Sequence, residues 1–265
     1  FTPDSFYAAS RTLGDDSRLA DTVRRAVDEG ADMIDCGAYS SRPGADDVSA
    51  DEETRRLSHG LEIIRRVAPD AVVSVDTFRA SVARRAVCDF GADIINDISG
   101  GTLDEAMFDT VAELSVPYVL MHMRGTPATM QSLTDYDGNV TAAVIADLAA
   151  KADRLAQAGV CDIIIDPGFG FSKTLEQNYR LLADLEAFKL LGRPLLVGVS
   201  RKSMATRLLG ISADEALNAT TVINTLAVER GASILRVHDV KACREAVSIT
   251  VSYTHLRAHE TDSYL

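Results

Sequence analysis

Seven short apolar runs alternate with amphipathic segments along this chain, and that alternation restricts it to parallel β/α architectures. The runs are Ala31–Ile34, Ala71–Val75, Asp93–Ile95, Tyr118–Met121, Asp162–Ile165, Leu195–Val199 and Ser233–Val237. They are continuous, as in strands buried on both faces. Segments of helical period lie between them, clearest at Asp15–Glu29, Asp51–Val67, Arg79–Phe90, Leu103–Leu114, Val140–Ala158, Leu175–Leu190 and Ser212–Arg230. Gly30, Gly91, Gly159 and Gly231 each stand between a helical segment and the next run, where left-handed backbone closes a helix. Either a TIM (β/α)8 barrel or a doubly wound open sheet satisfies this order. No Gly-x-Gly-x-x-Gly follows the first run, so the barrel is preferred. A barrel needs eight strands. Phe1–Phe6 reads as a loop, so strand one is expected upstream and absent from this chain.

The 265 residues suit one such domain, expected over residues 1–251. A net charge of -12 opposes nucleic-acid binding. No apolar run reaches the ~20 residues of a membrane span. Cys36, Cys88, Cys161 and Cys243 are scattered without metal-ligand spacing, and read as reduced thiols of a cytoplasmic protein. The chain opens with Phe1, so its natural start is expected further upstream. Ser252–Leu265 loses the helical apolar period and reads as a disordered or foreign tail. His255 and His259 have zinc-ligand spacing, but no third ligand is evident nearby.

Barrel chemistry sits at the C-terminal ends of the strands, and here those ends are polar. The runs lead into Asp76, Asn96-Asp97, His122, Asp166, Ser200-Arg201-Lys202-Ser203 and, within the last, Arg236 and His238 on one face. Each residue alone has an ordinary structural reading. Asp97 fits the N-cap of a following helix better than it fits catalysis, and a lone histidine such as His122 is more often a satisfied, half-buried group. Recurrence at the same end of strand after strand favours a site, since burying these groups without a ligand is costly. Asp76, Asn96 and Asp166 suit a flat, nitrogen-rich heterocycle. Arg42, Lys202, Arg236 and His238 form a cationic set that suits a phosphate or diphosphate, with Ser41 in the adjoining Tyr39–Gly44 segment.

The motifs, in order, resemble the dihydropteroate synthases. Thr2-Pro3-Asp4-Ser5-Phe6 and Ser41-Arg42-Pro43-Gly44 are similar to that family's two signature loops. Ser-Val-Asp76-Thr, Ile-Asn96-Asp-Ile-Ser, Met121-His122-Met123, Asp166-Pro-Gly-Phe-Gly-Phe171, Ser-Arg-Lys202-Ser203 and Arg236-Val-His238-Asp resemble its pocket, across nearly all of residues 1–251. The resemblance implies that Asp76, Asn96, Asp166 and Lys202 hold a pterin ring, with Arg236 stacked on it and Met123 beside it. It implies that Arg42 and His238, helped by Ser41 and Arg236, bind diphosphate. Phe171 and Ser203 would border p-aminobenzoate, beneath the loops over residues 2–14 and 37–51. It further implies Mg²⁺ on the diphosphate and a homodimer. No metal ligand is expected within the chain, because the family's asparagine falls just before Phe1.

The implied reaction joins 6-hydroxymethyl-7,8-dihydropterin diphosphate to p-aminobenzoate with loss of diphosphate. Three other readings stay open. A pterin-dependent methyltransferase shares the fold but has no diphosphate for Arg42 and His238 to bind. A Schiff-base lyase would use Lys202 with a lowered pKa. A fragment could bind pterin without turning it over.

Overall fold

The structure, a computed structural model, describes residues 14–39 and 48–262, with 255–262 as backbone alone. Seven parallel strands are described: β1 (Met33–Gly37), β2 (Val72–Asp76), β3 (Ile94–Asp97), β4 (Tyr118–Met121), β5 (Ile163–Asp166), β6 (Leu196–Val197) and β7 (Ile234–Leu235). They pair in sequence order from β1 to β5, and β6 pairs with β7. An Ile165–Leu195 bridge links the two groups. This is the arc of a TIM barrel, and among the described residues no pairing closes it between β7 and β1.

The outer side is covered by α1 (Asp16–Asp28), α2 (Ala50–Val67), α3 (Ala80–Phe90), α4 (Met107–Leu114), α5 (Val140–Gln157), α6 (Leu175–Ala183), α7 (Ser203–Leu209), α8 (Leu217–Glu229) and α9 (Val240–Asp262). Local chemistry fixes their ends. Ser49 accepts from the Glu52 N–H at the start of α2, whose first turn is acidic and last turn basic. Thr174 and Gln177 form a reciprocal cap on α6. Gly91 ends α3 at φ 64°, where a side chain would be strained. The expected Leu175–Leu190 helix divides at Asp184. A 3-10 turn over Leu185–Leu191 follows, and it brings Leu185 and Phe188, three apart, into the core together.

Between sheet and helices, Val73, Val75, Ile95, Tyr118, Leu120 and Ile163 pack on Leu61, Ile64, Val82, Met107, Val111 and Leu148. Burial of each such side chain stabilises by about 1.5–3 kcal/mol. Inside the arc, Ile94, Val119 and Leu196 form a smaller apolar layer with Ile164 and Ile234. Two expectations change. Asp97 is no helix cap. Fully buried, it accepts from Tyr118 Oη at 2.7 Å, Ser99 N at 2.7 Å and Gly101 N at 2.8 Å, holding the turn after β3 well before α4 begins. The backbone past residue 252 continues α9 to Asp262, because Leu256, Arg257, Ala258 and Glu260 propagate a helix even where the apolar period has lapsed.

Candidate active site

Strand register assembles the site. Gly37 pairs with Asp76, Asp76 with Asn96, and Asn96 with Val119, so one face of successive strands points into the arc. The cavity there, about 1290 Å³, is lined by Asp35, Asp76, Asn96, Phe171, Lys202, Ser203, Arg236 and His238 among others. Asp166 ends β5, buried, its carboxylate accepting from Gly168 N at 2.7 Å. Met123 packs with Phe171, Met121 and Met130. Ser41 and Arg42 lie outside the described residues, as do the loop motif at residues 2–6 and the side chains of His255 and His259.

The charged groups are already engaged with one another. Arg236 Nε meets Asp35 Oδ2 at 2.7 Å and its Nη2 meets Asp76 Oδ2 at 3.2 Å. Asn96 Nδ2 donates to Asp35 Oδ1 at 3.2 Å. Burial pushes the Asp76 carboxyl up to about 7, against the pull of Arg236. Burial also raises Asp166, opposed first by Lys202. Lys202 donates to Phe169 O at 2.9 Å and stands 4.9 Å from the centre of the Phe171 ring. Its desolvation lowers it to about 8, with Asp166 resisting.

The structure describes three of the four residues of the expected cationic set, Lys202, Arg236 and His238. Arg236 is shared between two carboxylates. His238 is close to Ser200 Oγ (2.9 Å from Nδ1), and burial and then Arg236 push its imidazole down to about 4. Both residues face the cavity, so water reaches them although protein surrounds them on most sides. Arg201 has turned away from the cavity's charges. It pairs with Asp239 through two nitrogens and donates to the carbonyls of Ala213 and Asp214.

Residues 1–238 match the sequence model of the family described as "Pterin binding enzyme". A dihydropteroate synthase from Synechocystis is 41% identical over 254 residues, covering 94% of this chain and 86% of that protein. The chain belongs to the dihydropteroate synthase family. The Yersinia pestis dihydropteroate synthase, solved with a sulfonamide drug, superposes with a TM-score of 0.90 at 36% identity, covering 96% of this chain and 91% of that one. The Thermus thermophilus dihydropteroate synthase, solved with 4-aminobenzoate, gives 0.81 at 40% identity, covering 88% of each.

Among the residues lining the cavity, Asp35 is one that sequence reasoning missed. Asp35 was passed over because the first apolar run was ended at Ile34, where apolarity breaks. The strand itself continues to Gly37. Period-two alternation from Met33 through Asp35 to Gly37 was the available signal.

Proposed function

We propose that this chain condenses 6-hydroxymethyl-7,8-dihydropterin diphosphate with p-aminobenzoate, giving 7,8-dihydropteroate and diphosphate. The observation that carries the reading is the strand-end arc of Asp76, Asn96, Lys202 and Arg236 at one cavity, with Asp166 buried at the end of β5. Asp76, Asn96 and Asp166 offer acceptors and an amide to the ring's N–H groups, while Lys202 and Arg236 cover its other polar atoms. Phe171 and Ser203 border the amine. The amine nitrogen attacks the methylene carbon, the C–O bond to diphosphate breaks, and the extra proton on nitrogen leaves to solvent. An aromatic amine is neutral at pH 7, so the residues need only stabilise charge. Asp166 favours the cation that develops on the pterin. His238, Ser41 and Arg42 receive the leaving anion, which draws a proton onto His238. In this reading Lys202, which donates to Phe169 O at 2.9 Å, acts as a cation opposite Asp166.

Mg²⁺ belongs with the substrate in this proposal. Among the described residues no cluster of three or more His, Cys, Asp or Glu could cage it, and Asp35 and Asp76 are taken by Arg236. Diphosphate oxygens and water would supply its ligands. A second copy of the chain is proposed to cover α8 and α9, which pack together and expose Val222 (52%), Ile249 (72%) and Tyr253 (55%). Light scattering on the eluting protein measures this. All four cysteines are free and no described helix is long and apolar enough to cross a membrane, which supports a cytoplasmic setting.

The test is diphosphate release with each substrate alone and with both. Release only with both is expected, and equal release without the amine would mean hydrolysis. Asp166→Asn keeps the Gly168 hydrogen bond but offers a donor where the ring also donates. It is expected to weaken pterin binding by about 1–3 kcal/mol with little change in melting temperature. Unchanged affinity by calorimetry would displace Asp166 from the site.

A further inference from the structure

Beneath the Pro167–Phe171 turn lies a lysine that the reaction as proposed does not use. Lys173 is only 4% exposed. Its ammonium donates to Phe171 O at 2.9 Å and Gly168 O at 3.0 Å, and lies 3.0 Å from His122 Nδ1. Desolvation lowers Lys173 to about 7, with Asp166 resisting; in its protonated form the amine has three donors, and these partners use them all. His122, at the end of β4, is 1% exposed, and burial together with Lys173 pushes its imidazole down to about 2. A neutral imidazole accepts from Lys173 Nζ at Nδ1 in the tautomer that carries its proton on Nε2.

The turn above is also held by Gly170 N, which donates to Asn178 Oδ1 at 2.7 Å, and by Phe171 N, which donates to Gly168 O at 3.1 Å; Lys173 adds a buried donor to two of its carbonyls. Gly168 adopts φ +73°, and a Cβ there would stand 2.0 Å from His122 O, so no side chain can brace it. Gly170 has φ +85° and Ser172 +47°. The peptide that Lys173 grips at Gly168 adjoins the N–H that binds Asp166 Oδ1. The carbonyl it grips at Phe171 belongs to the residue whose ring lies beneath Lys202. Lys202 holds the same turn from a different carbonyl, that of Phe169.

We propose that Lys173 is a positioning residue: its buried ammonium, backed by the His122 imidazole, pins the Pro167–Phe171 turn and thereby sets where Asp166 and Phe171 meet the two substrates. The proposal rests on the reading that Asp166 and Phe171 line the substrate site. It separates Lys173 from a lysine that merely fills the core, because a filler would alter the amount of folded protein and not the affinity of what folds.

The experiment compares wild type with Lys173→Met, His122→Leu and His122→Gln. Each is assayed for KM of p-aminobenzoate, calorimetric pterin affinity and active-site concentration. Lys173→Met is expected to raise the amine KM and weaken pterin binding each by about tenfold or more per folded molecule. His122→Leu should do the same to a smaller degree. His122→Gln, which returns an acceptor, should recover most of the loss. Nitrogen NMR of ring-labelled protein should show His122 as the Nε2–H tautomer in wild type, and that signature should be lost in Lys173→Met. Folded Lys173→Met with wild-type KM and affinity would overturn the proposal. If that variant does not fold, His122→Leu and His122→Gln decide, and equal constants for the two would overturn it. A wild-type protein without turnover on the two substrates would instead indict the functional reading itself.

Discussion

From β2 to β5 each strand has a partner on both edges, whereas β1 and β7 each have one among the described residues. The same kind of apolar sequence meets different fates in the two regions. β3 and β4 are buried along their whole length. At the flank, Met33 remains 39% exposed and both residues of β7 are half-buried. The cavity runs along this flank and reaches the inner layer at Ile94, Val119 and Ile234. Charges connect what backbone pairing does not. Arg236 joins β7 to Asp35 and Asp76 at the site end, and Arg244 of α9 meets Asp32 at the other at 3.1 Å. The comparison teaches that the closed region supplies rigidity, while at the flank the ion pairs that bridge the strands are also the proposed binding groups. A change there should affect function before stability.

The largest effect should come from breaking the bridge at the site. Arg236→Met leaves Asp35 and Asp76 facing each other across the cavity. It is expected to lower kcat/KM by about 10²–10³-fold, in the range of a lost charge-stabilising donor. Steady-state diphosphate release checks it, and a loss below threefold would separate the bridge from function. Next is a contrast in stability. Leu120→Ala, in the fully buried β4, should cost about 2–5 kcal/mol by denaturant melts. Met33→Ala at the flank should cost well under half as much, and equal costs would erase the distinction between the regions.

A pH titration sharpens the comparison further. The folded-state pKa of Asp76 is raised, to about 7, above the unfolded carboxyl value, so folded protein holds the extra proton between those values. Its contribution to stability therefore declines as pH rises towards 7, while its ability to accept from the ring grows. Pterin affinity is expected to fall as pH drops below about 7. In Arg236→Met, with the lowering charge removed, the midpoint should move to higher pH. Calorimetry across pH 5 to 9 measures both, and an unmoved midpoint would assign the titration elsewhere. The smallest effect should be at the far bridge. Arg244 and Asp32 are 52% and 75% exposed at the side chain, so Asp32→Asn should change stability by about 0–1 kcal/mol, a difference that salt removes.

Much of this was legible in the chain. The runs that became β2, β4 and β5 were readable within a residue, because buried parallel strands demand continuous apolarity. Strand-end position alone singled out Asp76, Asn96, Asp166 and Lys202, and the structure brings Asp76, Asn96 and Lys202 to one cavity, with Asp166 buried at the end of β5. Asp35 was hidden by its own charge. Lys173 was hidden because, in sequence, a lysine after a glycine-rich turn looks like a solvated surface group. The neutrality of His238 was equally out of reach, since it depends on burial and on an arginine facing it.

By itself, then, the sequence determined the β/α order, some of the helix ends and the polar character of one rim, because periodicity, capping and strand alternation act over a few residues. Only the tertiary structure decided which charges are spent on one another and which lysine holds which carbonyls of the Pro167–Phe171 turn. Those outcomes turn on desolvation and on distances between residues as far apart as Asp35 and Arg236, and no local pattern encodes them.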